Sequence, residues 1–316
     1  MAIEWKGVFP AVTTKFKDND ALDLPLFEKN LQAQIEAGVA GIIIGGSLGE
    51  SSTITVEELG RLVASGLKVS AGRIPVIVNI AAGSTKDAVG IAKQIKEWGA
   101  DGIMLLPPMR YKSTPEETVV FFRTVAKATD LPVLLYNNPV DYKTEITMDM
   151  FDALKDIPAI QAVKESTRDV SNVIRMRNQF GDRFKILCGV DTLTFEELAA
   201  GADGLVAGLV CAFPRETVAI YNFIKNNQHQ KALEIYRWFM PLLEFDITPQ
   251  LVQYIKLAEV YTGLGNEAVR APRLSLTGQQ RAAAINTIEA AIRTRPLKLV
   301  EQGLALAANK ELTPQD

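Results

Sequence analysis

Lys164 is the residue with the clearest chemical prospect. It follows an apolar run at 159–163 that is preceded by Asp156-Ile157-Pro158 and followed by Glu165-Ser166-Thr167, a pattern that reads as a buried strand opening into a helix start. An ammonium at the end of such a strand must reach water or lose its proton. The deprotonated amine is a nucleophile toward carbonyl carbon, and burial lowers its pKa from about 10.4 towards the values of about 7 to 8 that imine chemistry needs. The plainer alternative is a strand-end side chain that snorkels to solvent. Two more polar groups fall at strand ends. Gly45-Gly46-Ser47-Leu48-Gly49-Glu50-Ser51 can turn sharply and present backbone N–H groups to a carboxylate, or be a ligand-free turn. In Leu135-Tyr136-Asn137-Asn138-Pro139, Tyr136 sets a phenol where the chain stops being a strand, unless it is simply a packed aromatic. A protonated imine is an electron sink and needs no metal, only a proton carrier. His229, the single histidine, lies in a polar turn or helix start, which leaves Tyr136 as the available carrier and rules out sites built from several histidines.

These groups need elements to hold them. Apolar runs recur at 7–13, 41–45, 75–81, 102–106, 131–136, 159–163, 185–190 and 202–209, each followed by a helical pattern. Thr55 with Glu58, Ser84 with Asp87, Thr114 before Pro115, and Thr147 are candidate caps for the intervening helices. Strands with consecutive apolar residues are buried on both faces, so the sheet should be parallel. Eight βα units are the number that closes a TIM barrel, an α/β fold whose active site sits at the C-terminal strand ends. An open doubly wound sheet is the alternative, but no Gly-x-Gly-x-x-Gly follows the first strand. Beyond Pro214 helical patterns run through 218–224, 232–243, 251–261 and 278–292. The first completes the barrel, giving a (β/α)8 unit at 1–226 and a C-terminal helical extension at 227–316 packed on it or on a neighbouring subunit. The polar end at 311–316 should fray.

With 316 residues, 47% hydrophobic content and a net charge of -3, the chain has ample core and no basic footprint for nucleic acid or anionic membranes. No segment stays apolar and uncharged for about 18 residues, and the start lacks an apolar leader, which suits a cytoplasmic protein. Cys188 and Cys211 lie in separate apolar stretches and read as two buried thiols.

Taken together, Gly46-Ser47-Leu48-Gly49-Glu50, Tyr136-Asn137-Asn138-Pro139 and Lys164-Glu165 resemble, in order and spacing, the dihydrodipicolinate synthase and N-acetylneuraminate lyase family of class I aldolases. Gly189-Val190-Asp191 and Gly201-Ala202-Asp203-Gly204 extend the likeness over nearly the whole chain. The resemblance implies a barrel with three C-terminal helices, a homotetramer or homodimer, and an imine between Lys164 and a 2-oxo acid with no cofactor. It further implies that Tyr136 relays protons and that Ser47, with Gly46 and the adjacent N–H groups, holds the substrate carboxylate. The Ser47 hydroxyl should then lie in line with Tyr136, and Val206 should offer a backbone carbonyl across the pocket.

The chain departs from the synthase pattern at three places. Leu48 replaces a threonine, Met109 a second tyrosine, and Asp141 the arginine that grips a distal carboxylate; Tyr111 and Arg110 are near enough in sequence to substitute. The closer likeness, carried by Gly189-Val190-Asp191-Thr192, Phe245-Asp246 and Leu48, is to 1-pyrroline-4-hydroxy-2-carboxylate deaminases and 2-keto-3-deoxy acid dehydratases. In that reading the substrate is a pyrroline carboxylate or 2-oxo acid, met by Gly46, Leu48, Asp141, Asp191 and Val206. The alternatives are 4-hydroxy-tetrahydrodipicolinate synthase, a 2-keto-3-deoxy acid aldolase, a metal-dependent aldolase, or a non-catalytic ligand-binding barrel.

Overall fold

A computed structural model of the chain describes residues 2–108 and 111–308. Met109, Arg110 and the terminus at 311–316 lie outside the described residues. The apolar runs become β1 (Gly7–Pro10), β2 (Ile42–Ile44), β3 (Val76–Ile80), β4 (Gly102–Leu105), β5 (Val133–Asn137), β6 (Ile160–Glu165), β7 (Lys185–Cys188) and β8 (Gly204–Ala207). Each is buried over almost its whole length, because helices cover the outer face and side chains fill the inner one. Their order is β1-β8-β7-β6-β5-β4-β3-β2, every ladder parallel. The last seam, between β1 and β2, closes through a bridge from Ala11 to Ile43, with the Val12 amide donating to the Ile43 carbonyl at 3.0 Å. The fold is a (β/α)8 barrel.

Thr55 and Thr114 form reciprocal capping boxes with Glu58 and Glu117, while Ser84 caps through the Asp87 amide at 3.1 Å and Thr147 through the Met150 amide at 3.4 Å. After β8, Pro214–Lys225 completes the helical ring and is followed by His229–Leu243, Leu251–Tyr261 and Gly278–Arg293. A further helix, Leu297–Ala308, was not foreseen; among the described residues it makes the C-terminal helices four rather than three. It packs back on Pro214–Lys225, where Gly303 permits close approach: a Cβ there would lie 2.7 Å from that of Ala219. Its pairing is non-local, which is why a short apolar pattern after Pro296 gave no sign of it. Among the described residues no helix is long and apolar enough to cross a membrane.

Leu251–Tyr261 ties the extension to the barrel with two fully buried ion pairs. Lys256 Nζ reaches Glu50 Oε1 at 2.5 Å, and Lys15 Nζ reaches Glu259 Oε1 at 2.8 Å. Glu50 belongs to the glycine turn after β2 and also accepts from the Arg270 amide at 3.1 Å, so that turn is gripped from the extension. Burial depresses the Lys256 ammonium to about 8 despite Glu50 beside it.

Candidate active site

β5 and β6 bring Tyr136 and Lys164 side by side as register partners. Parallel partners in register share a face, and here it is the barrel interior. Lys164 Nζ lies 4.1 Å from the centre of the Tyr136 ring. The strand runs one residue beyond Lys164, so Lys164 sits inside the sheet rather than at its end. Glu165, on the opposite face, accepts from the Thr167 amide at 2.7 Å and from Asn172 Nδ2 at 2.9 Å, which fixes the strand end.

Lys164 is 7% exposed, which decides between the two readings of it: the side chain does not snorkel to bulk water. Burial pushes its ammonium below the ordinary range, with the Asp246 carboxylate the main opposing influence. Gly189, after β7, makes the space. A Cβ at 189 would stand 2.7 Å from Lys164 Cγ and 2.1 Å from Ser166 Oγ, so any side chain there would displace both groups. Burial also pushes the Tyr136 phenol well above its usual value, which keeps it protonated at neutral pH.

Above these groups opens a cavity of about 630 Å³, a size suited to a small molecule. Gly46, Ser47, Leu48, Asp141 and Val206 line it together with Lys164 and Tyr136. Asp191 stands behind the wall instead: its carboxylate accepts from the Leu209 amide at 2.7 Å and the Gly208 amide at 3.0 Å, bracing the turn after β8. The expected alignment of Ser47 with Tyr136 is corrected. Ser47 Oγ is hydrogen-bonded to the hydroxyl of Tyr142, and the Tyr136 hydroxyl accepts from Asn138 Nδ2 at 3.1 Å. The short helix Pro139–Tyr142 causes this by turning Tyr142 back over the mouth, ring edge against Tyr136 with centroids 5.5 Å apart.

Tyr142 is therefore the second phenol. Tyr111 is not, since it is 56% exposed and engages Glu117. Asp141 is held by Asn138, whose Oδ1 accepts from the Asp141 amide at 3.1 Å while its Nδ2 donates to Asp141 Oδ2 at 2.8 Å. The arginine missing at 141 has counterparts elsewhere on the wall, Arg168 and Arg273. Sequence reasoning missed both, along with Tyr142 and the buried hydroxyl of Ser166 beside the Tyr136 phenol. Tyr142 alone carried a legible signal, one helical turn after Asn138-Pro139.

A parallel barrel holding a desolvated lysine beside a protonated phenol and a turn rich in N–H groups defines a class I, Schiff-base-forming aldolase or lyase. Residues 4–291 match the dihydrodipicolinate synthetase family, and the chain belongs to that family. It is 33% identical over 288 residues to a 4-hydroxy-tetrahydrodipicolinate synthase of Exiguobacterium sibiricum, covering 90% of this chain and 96% of that one. The fold superposes on a dihydrodipicolinate synthase of Bacillus anthracis with a TM-score of 0.87 at 28% identity, over 92% and 99% of the two chains. The pyruvate complex of the Acinetobacter baumannii synthase gives a TM-score of 0.87 at 26% identity, over 91% and 99%.

Proposed function

We propose that this Schiff-base lyase binds a hydroxylated 2-oxo acid or the cyclic imine 1-pyrroline-4-hydroxy-2-carboxylate as an imine on Lys164, and that the reaction is elimination with deamination rather than condensation. No metal or other cofactor takes part. Ser47, Gly46 and Tyr142 hold the C1 carboxylate, and the Ser166 hydroxyl faces the reacting carbons. The observation that carries the reading is the cavity wall itself, where Leu48 supplies no hydroxyl and a carboxylate, Asp141, stands in place of an arginine. Attack of Lys164 on the ring C=N carbon breaks the C2–N bond and opens the ring to a 5-amino chain, the enamine expels the 4-hydroxyl as water, proton shifts move the new double bond to C5=N, and two hydrolyses release ammonia from C5 and the 2-oxo acid semialdehyde from Lys164.

A second reading, 4-hydroxy-tetrahydrodipicolinate synthase, is the one favoured by the names of the curated relatives. Arg168 and Arg273 support it too, since either guanidinium on the wall suits a distal carboxylate. A screen of purified protein against the hydroxypyrroline carboxylate, 2-keto-3-deoxy acids, and pyruvate with aspartate semialdehyde separates the two. Turnover of the first substrate by release of ammonia is the expected result. Condensation at the rate of an authentic synthase would reverse the assignment.

A further inference from the structure

The turn that carries Ser47 is held from outside the barrel. Ser47 and Leu48 stand on the cavity wall, and among the described residues neither amide donates to a protein acceptor. Two residues on, Glu50 takes a left-handed backbone with a φ of 57°, a conformation that a residue with a side chain keeps only where its surroundings enforce it. The C-terminal extension does the enforcing. Glu50 Oε1 accepts from Lys256 Nζ at 2.5 Å, and Oε2 accepts from the Arg270 amide at 3.1 Å. Lys256 Nζ also donates to the Ala268 carbonyl at 2.5 Å and lies 4.7 Å from the centre of the Phe16 ring. On the other flank the Thr14 hydroxyl donates to the Gly49 carbonyl at 2.6 Å, and Lys15 beside it pairs with Glu259, on the same helix as Lys256.

We propose that Lys256 is a positioning residue for substrate binding: in its charged form it holds Glu50, and through Glu50 it aims the Ser47 and Leu48 amides and the Ser47 hydroxyl at the C1 carboxylate. This rests on the reading of Lys164 as the imine-forming lysine with the carboxylate seated on this turn. It adds a fully buried residue that does not line the cavity. The role needs the charge. A neutral amine at 256 would leave Glu50 buried with only the Arg270 amide, and the Arg273 guanidinium 3.7 Å away, to offset it. The left-handed backbone at Glu50 then loses the tether that fixes it, and the amides just before it lose their aim.

That charge is lost within an accessible pH range. Burial brings the Lys256 ammonium down to about 8 and the Lys15 ammonium pushes the same way, while the Glu50 and Glu259 carboxylates oppose them. The other charged groups around the pair are two guanidiniums, Arg270, which is bound to Glu58, and Arg273. Lys256 is charged below its pKa and neutral above it, so the turn is held on the acid side and released as the pH rises through about 8. Lys164 governs imine formation in every variant that keeps it. A comparison of variants at one pH therefore isolates Lys256.

The test measures the pyruvate concentration that half-saturates borohydride trapping at Lys164, with the trapped mass at saturation as a second readout, at pH 7 and pH 9. At pH 7 Lys256→Met should raise the half-saturating concentration by about tenfold and leave the saturated mass unchanged. At pH 9 the difference from the unaltered protein should shrink to about twofold, because that protein has by then lost most of the same charge. Lys256→Arg keeps its charge throughout. It should match the unaltered protein at pH 7 and bind pyruvate about fivefold more tightly than it at pH 9. Glu50→Gln keeps the size of the side chain without its charge and should follow Lys256→Met, so it decides the question if the methionine variant does not fold. An unchanged half-saturation at pH 7 in these variants would overturn the proposal, and so would a tenfold penalty that persists at pH 9. Loss of trapping at saturation would overturn it too, by making the ion pair a support of Lys164 rather than of the carboxylate site. Failure of the unaltered protein to trap any 2-oxo acid would instead defeat the imine reading on which the proposal stands.

Discussion

At the scale of single residues, Lys164 trades stability for chemistry. Its folded pKa is lowered by burial, so folding releases a proton wherever the pH lies between the folded value and about 10.4. The unfolded chain binds more protons across that window, and stability therefore rises with pH through it. Lys164→Met should raise the Tm, by more at pH 7 than at pH 10 in a pair of calorimetric scans, while lowering turnover by at least about a thousandfold. Gly189→Ala should separate the same two quantities in another way. The new methyl would collide with Lys164 Cγ and the Ser166 hydroxyl, costing about 1 to 3 kcal/mol and preventing imine trapping by borohydride. Tyr142→Phe removes the partner of Ser47 without opening a void. It should raise KM for the 2-oxo acid by roughly fivefold, consistent with one lost hydrogen bond of about 1 kcal/mol, and leave trapped mass at saturation unchanged.

At the scale of elements, the turn carrying Gly46 and Ser47 is only as rigid as its anchor. Glu50 meets Lys256 with both side chains fully buried, so removing one partner leaves a charge without compensation. Glu50→Ala should lower stability by about 3 to 5 kcal/mol in a urea titration, whereas replacing both members by apolar residues should cost much less. A similar loss in the double variant would show that the two residues do not act as a pair. Strand registry does the same work for catalysis that this ion pair does for binding. Tyr136 and Lys164 are neighbours because β5 and β6 pair in that register, and a slip of one residue would send one of them outward.

At the scale of the whole molecule, the C-terminal helices deliver a cavity residue, Asp246, and also cover the ring helix Pro214–Lys225. Truncation before Leu297 should expose that apolar face and lower the Tm by several degrees, roughly as expected for lost packing, while imine trapping survives because none of the described residues it removes lines the cavity. Loss of trapping on truncation would show instead that the final helix supports the site. The sequence by itself determined the eight strands, their caps and the positions of Lys164, Tyr136 and the glycine turn, because strand burial, capping and turn chemistry are written within a few adjacent residues. Only the tertiary structure decided that Tyr142 meets Ser47, that Arg168 and Arg273 share the wall, and that Asp246 arrives beside Lys164. Those encounters join residues far apart in the chain, and their geometry follows from barrel closure and helix docking; the turn at Asn138-Pro139 hints locally at where Tyr142 lies, but no local pattern names the partners.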